Sequence, residues 1–212
     1  MKYTAVIFDL DGVICFTDKY HYQAWKELAD EEGIYFDEQI NSRLRGVSRM
    51  ESLEIILERA SKSYTEEEKT AMATKKNDLY KELLVQMSPE DLPEDVAKAL
   101  KGLKEGGVKI AIGSSSKNAR TILNQIGLGD TFDKISDGNN ISNSKPYPEV
   151  FQKAAEMLGL KPMDCLVVED AKAGIAAVKA GGFDCAGIGE AAEDADTTYP
   201  IQKIGDLLGI VL

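Results

Sequence analysis

The apolar positions of this chain change rhythm along its length. Residues 3–8 form a short apolar run, with Ala5, Val6, Ile7 and Phe8 unbroken before Asp9, which predicts a buried strand. A helical period follows. Tyr20, Ala24, Trp25, Leu28 and Ala29 share one face of a helix predicted over 19–32. "RMESLEIILERA" repeats the pattern with Met50, Leu53, Ile56, Leu57 and Ala60, and 65–87 predicts a longer helix. Its first turn carries Glu66, Glu67 and Glu68, where negative charge complements the helix dipole. From about 17 to 90 no strand pattern occurs. After "SPEDLPED" the chain alternates: helix over 95–107, strand in "VKIAIGSSS", helices in "KNARTILNQIG" and "YPEVFQKAAEMLG", strand in "CLVVED", helix in "AKAGIAAVKAGG", and a last clear strand in "FDCAGIG".

Strand and helix in alternation mean βαβ units and a parallel sheet, so the fold class is α/β: a doubly wound parallel-sheet core with a helical block inserted after the first strand. Such sheets bind ligands at the carboxyl ends of their strands. Aligning those ends collects Asp9 and Asp11 from the first strand, Gly113 with Ser114, Ser115 and Ser116 from the second, Lys145 from "SNSKPYPE", and Glu169 and Asp170 from "CLVVED". Four carboxylates on one edge repel unless a cation lies among them. All-oxygen donors without His or Cys suit Mg²⁺. Gly12 permits an irregular turn that brings Asp9 and Asp11 toward one site, although alternate residues of a regular strand point to opposite faces. One carboxylate is then placed as nucleophile and the other as general acid/base. A phosphoryl group is the matching electrophile, since a cation, a lysine and hydroxyls spread its charge.

Composition narrows the partners. The 212 residues carry a net charge of −11, which disfavours nucleic acid and anionic membrane surfaces. No apolar run is long enough to span a bilayer, and the start of the chain lacks a signal-peptide layout. Cys15, Cys165 and Cys185 are odd in number and lack metal-type spacing, which fits a reducing cytoplasm.

"DLDGV", the "SSS" strand end, the "SKPYP" lysine and "VVED", in this order, resemble the four motifs of the haloacid-dehalogenase-like phosphotransferases. The resemblance implies a Rossmann-like core over 1–15 and 92–212 and a helical cap over 16–91. It implies that Asp9 is phosphorylated and that Asp11 moves the proton while its backbone carbonyl binds Mg²⁺. Ser114 and Lys145 would hold the transferring phosphate, and Glu169 and Asp170 would complete the metal site. "T…YH…AW", "GVSR", "SKN" and "KKND" resemble the branch that interconverts β-glucose 1-phosphate and glucose 6-phosphate through the 1,6-bisphosphate. That implies Thr17 and His21 orienting Asp11 and the sugar hydroxyl. It further implies Arg49, Ser116, Lys117 and Asn118 on the idle phosphate, Ser115 beside them, and Trp25, Gly46, Val47, Ser48 and Lys76 shaping the pocket. The implied partner is a small phosphosugar and the implied state a monomer. Phe16 and Ala171 depart from the pattern, where many members carry Asp and Ser.

Plainer readings stand beside these. "DG" after a strand also makes an ordinary turn. His21, the single histidine, borders an apolar stripe and could be structural. Arg49 could be a solvated helix-start residue with Ser48 as a cap, Lys76 lies in a charged helical stretch, Trp25 is a core aromatic, and Cys15 is a small packing residue. A sugar-phosphate phosphatase would use the same Asp9. A signalling receiver would share the Asp, Mg²⁺ and Lys chemistry but lack the inserted helices.

Overall fold

The computed structural model describes residues 2–212. Strand β1 (Ala5–Phe8) is followed by four helices, α1 (Asp18–Glu31), α2 (Glu38–Ser42), α3 (Arg49–Leu57) and α4 (Glu66–Leu84), before the chain returns through α5 (Glu94–Glu105) to β2 (Lys109–Gly113). The remainder alternates: α6 (Ala119–Gln125), β3 (Lys134–Ser136), α7 (Glu149–Leu158), β4 (Cys165–Glu169), α8 (Lys172–Gly181), β5 (Asp184–Gly187), β6 (Tyr199–Pro200) and α9 (Leu207–Val211). The six strands form one parallel sheet in the order β3-β2-β1-β4-β5-β6.

Alternation along β1 divides the core. Val6 and Phe8 face a cluster with Val96, Leu100 and Leu103 of α5, Ile122 and Leu123 of α6, and Leu207 and Val211 of α9. Ala5 and Ile7 face the other layer, with Val150, Phe151 and Ala154 of α7 and Ile175 and Val178 of α8. The inserted helices hold a third cluster of their own, including Trp25, Leu28, Phe36, Leu53, Ile56 and Met72. Tyr80 and Leu84 at the end of α4 join the sheet-side cluster, so the insertion is rooted in the main core.

The buried face of α1 is the five-residue stripe read from the sequence. Ser48 caps α3 in a reciprocal pair with Glu51, and Thr65 with Glu68 does the same for α4; such caps are each worth about 1 kcal/mol. Three expectations change. Met50 is exposed while Ser52 is buried in α3. Lys76 does not lie on a charged face: it is buried on the inner stripe of α4 with Met72, Ala73, Asn77, Tyr80 and Leu84. "FDCAGIG" is not the last strand, since β6 follows it.

Candidate active site

Strand order reverses direction at β1, which pairs with β2 on one side and β4 on the other, and the crevice beyond this point receives the chemistry. The register sets Phe8 beside Val168, so Asp9 and Glu169 emerge from adjacent strands, and the Asp9 N–H bonds the Val168 carbonyl at 2.9 Å. Beyond Asp9 the chain folds back on itself. The Gly12 N–H donates to the Cys15 carbonyl at 2.8 Å and Ile14 N–H to Leu10 carbonyl at 2.9 Å. Gly12 has φ +88°, and a Cβ there would lie 2.0 Å from an Asp170 carboxylate oxygen. Only glycine lets this turn and Asp170 share the space. Gly174 does the same for the other acid: a Cβ on it would lie 1.8 Å from Glu169 Oε1.

The carboxylates of Asp9, Glu169 and Asp170 converge, with one oxygen from each within 4.8 Å of the others. The Asp11 carboxylate turns away from this trio to accept a hydrogen bond from the Thr17 hydroxyl, and Thr17 in turn accepts from the Tyr80 hydroxyl at 3.1 Å. Lys145 Nζ donates to Asp9 Oδ1 at 2.5 Å and to Glu169 Oε2 at 3.2 Å. The Lys145–Pro146 peptide is cis.

The electrostatics follow from burial. Burial pushes Asp11 up to about 7, against the Thr17 hydrogen bond and with help from the charges of Asp9 and Asp170. Burial and Asp9 likewise push Asp170 up to about 7. Glu169 is raised by burial and by its acidic neighbours, opposed by Lys145. Burial alone would discharge Lys145, but Asp9 and Glu169 outweigh it and hold the ammonium charged. One cation among three converging acids leaves the site short of positive charge. The oxygen-only donor set and this deficit both fit a hard divalent cation.

The insertion faces this cluster with basic side chains. Lys76 Nζ lies 2.8 Å from His21 Nδ1 and over the rings of Trp25 and Tyr80 at 4.7 and 4.6 Å. His21 stacks on Tyr80 at 4.1 Å. Burial, with Arg49 adding repulsion, lowers Lys76 well below its ordinary value. Burial, Lys76 and Arg49 lower His21 well below its own, so the imidazole is neutral.

Between the two halves lies a cavity of about 720 Å³. Asp9, Asp11, Thr17, His21, Trp25, Gly46, Val47, Ser48, Arg49, Lys76, Ser114, Ser115, Ser116, Lys117, Asn118, Lys145, Glu169 and Asp170 all line it. The cavity therefore gathers every site residue expected from the sequence, while the side chain of Asp11 stands apart from the acid trio. Sequence reasoning missed Asn77, Tyr80 and Arg45, which also line the cavity. The signal for two of them was present: Asn77 and Tyr80 occupy core-facing helical positions beside Lys76, where polar groups require a reason.

Residues 3–182 match the family described as haloacid dehalogenase-like hydrolase. A β-phosphoglucomutase of Bacillus subtilis is 42% identical over 96% of this chain and 91% of its own length. A fructose-1-phosphate phosphatase of Escherichia coli is 32% identical over 86% of this chain and 95% of its own. The crystal structure of a β-phosphoglucomutase from Clostridium difficile superposes with a TM-score of 0.91 at 39% identity, covering 97% of this chain and 93% of that one.

Proposed function

Because the chain belongs to the haloacid dehalogenase-like hydrolase family, we propose that it is a phosphomutase that interconverts β-glucose 1-phosphate and glucose 6-phosphate through β-glucose 1,6-bisphosphate. The carrying observation is the two-sided cavity, with acids, Lys145 and the Ser116–Asn118 loop on the sheet side and Arg49 and Lys76 on the insertion side. A phosphatase needs one phosphate site, whereas a mutase must also hold the phosphate that is not reacting.

Asp9 is the nucleophile. Its carboxylate oxygen bonds phosphorus as the bond from phosphorus to the sugar oxygen breaks, and Asp11 gives its proton to that oxygen. In the return step Asp11 takes the proton from the other sugar hydroxyl as that oxygen attacks the aspartyl phosphate. A group that titrates at about 7 serves in both directions. Thr17, held by Tyr80, fixes the Asp11 carboxylate for this exchange. Lys145 pairs with Asp9 and orients its carboxylate. Asp9, Glu169, Asp170 and the Asp11 carbonyl would hold Mg²⁺, which supplies charge neutralisation to the phosphoryl oxygens. The insertion over 16–91 acts as a cap that closes on the sugar and excludes water, so the aspartyl phosphate passes to a hydroxyl rather than to solvent.

The test is a coupled assay of β-glucose 1-phosphate with a trace of the bisphosphate and Mg²⁺, detecting glucose 6-phosphate. Release of inorganic phosphate in place of glucose 6-phosphate would favour the phosphatase reading. EDTA should abolish both signals.

A further inference from the structure

Asn77 and Asn118 approach the cavity from opposite halves of the molecule. Asn77 lies on α4 of the insertion and Asn118 directly precedes α6 of the sheet domain, and both are buried. The Asn118 Nδ2 donates to Asn77 Oδ1 at 3.0 Å. On the same loop, Ser116 N–H donates to Ser114 Oγ at 3.1 Å and Asn118 N–H to Ser116 Oγ at 3.2 Å. A hydroxyl oxygen that accepts from the backbone keeps its own proton free to donate. Ser116 is therefore prepared as a donor.

Asn118 needs the same preparation. Its amide has a donor end and an acceptor end of nearly equal shape, and an acceptor turned toward an anion would repel it. Asn77 Oδ1 decides between them. With the Asn77 amide held as it stands, a reversed Asn118 amide would bring two carbonyl oxygens to 3.0 Å in a buried place, with the cost of an unmade hydrogen bond. With one N–H taken by Asn77, the direction of the second is fixed, and both residues line the cavity.

We infer that Asn77 is a positioning residue for the idle phosphate: it sets the Asn118 amide with its free N–H toward the anion, so the second phosphate site reaches full strength only when α4 is docked. This rests on the phosphosugar reading above. It gives Asn77 a role through Asn118 and no contact of its own with the phosphate.

The experiment is a double-mutant cycle on the intact protein with Mg²⁺. Glucose 6-phosphate binding is titrated by calorimetry, and KM and kcat are measured with β-glucose 1-phosphate. Asn77→Ala and Asn118→Ala should each weaken binding about tenfold, with KM rising more than kcat falls, and the double variant should match Asn118→Ala alone. In a ¹⁵N spectrum of the unliganded protein, Asn77→Ala should move the Asn118 side-chain amide pair toward the shifts of a free amide. Ala is the best helix former, so α4 should persist in that variant. Additive losses, or unchanged glucose 6-phosphate binding in Asn77→Ala, would overturn the inference. If β-glucose 1-phosphate is not converted while glucose 6-phosphate binding follows the cycle, the mutase reading fails and the role of Asn77 stands.

Discussion

Two lysines are buried in the cavity, one in each half, in opposite surroundings. Lys145 on the sheet side sits between Asp9 and Glu169, which hold its charge in place. Lys76 on the insertion side faces a neutral histidine and two aromatic rings, and among the described residues no carboxylate lies within salt-bridge distance of it or of Arg49. The sheet half has an excess of acid and the insertion half an excess of base. Neither half is balanced alone. A divalent cation on one side and a phosphosugar between them would satisfy both, which explains why the chain buries acidic and basic groups in separate clusters.

The largest effect expected from this contrast lies at Asp9. Asp9→Asn removes the attacking charge and one side of the Lys145 pair together, and should lower conversion of β-glucose 1-phosphate by about a thousandfold or more. Mass spectrometry of the quenched enzyme should find no phosphorylated peptide containing residue 9. A variant that keeps a tenth of its turnover would move the nucleophile elsewhere and dissolve the contrast between a reacting half and a holding half.

The lysines themselves come next. Lys145→Met leaves Asp9 and Glu169 uncompensated and should cost about 3 kcal/mol in urea unfolding without divalent ions. Lys76→Met places a flexible apolar chain among Trp25 and Tyr80 and should cost little or stabilise, while phosphosugar binding weakens. Equal losses at the two sites would show that Lys76 has a partner as strong as Lys145 has.

Much of this arrangement is legible in the sequence, for physical reasons that also mark where legibility stops. Asp9, Glu169 and Ser114 follow apolar strand runs, so their place at the carboxyl edge comes from period and turn chemistry alone. Lys76 is different. Its neighbours Thr74, Lys75 and Asp78 are polar and its own charge favours water, so the local composition reads as a solvated face although Lys76 shares the helical stripe of Ala73, Tyr80 and Leu84. The core-facing stripe marks Tyr80 and Asn77, but not what they bind, since their partners Thr17 and Asn118 lie 63 and 41 residues away. Strands β3 and β6 were missed because they have only three and two residues, and their sheet neighbours define them.

Arg49 sharpens the comparison from the insertion side. Burial lowers its pKa, so part of its hydration has already been given up before an anion arrives. Arg49→Ala should reduce conversion of β-glucose 1-phosphate by about 10- to 100-fold, the loss of a charge-assisted phosphate contact. Hydrolysis of acetyl phosphate, which has no second phosphate, should fall by much less. Parallel losses would assign Arg49 to the sheet-side site.

The smallest effect is a pH dependence that isolates Lys76. Its pKa in the folded protein is lowered by burial and by Arg49, whereas an unfolded lysine titrates near ~10.4. Between these values the unfolded chain binds more protons than the folded one, so this lysine makes stability rise with pH. The slope is at most about 1.4 kcal/mol per pH unit. The groups around it do not confuse the signal between pH 8 and 10. His21 from α1 is already neutral, because its pKa lies well below 6.5. Tyr80 from α4 is raised well above 10 and stays protonated. Asp11, at about 7, is ionised by then, and Arg49 keeps its charge. Stability of the unmodified protein measured against Lys76→Met should therefore improve steadily from pH 8 to 10. The same comparison for Lys145→Met should stay flat from pH 8 to 10, because Lys145, held charged by Asp9 and Glu169, has a folded pKa above its unfolded one. Its contribution is complete below ~10.4 and is lost as the pH rises from there through the folded value. Two parallel pH profiles would mean that the two lysines share one electrostatic environment, and the division of the cavity into an acid half and a basic half would fail with them.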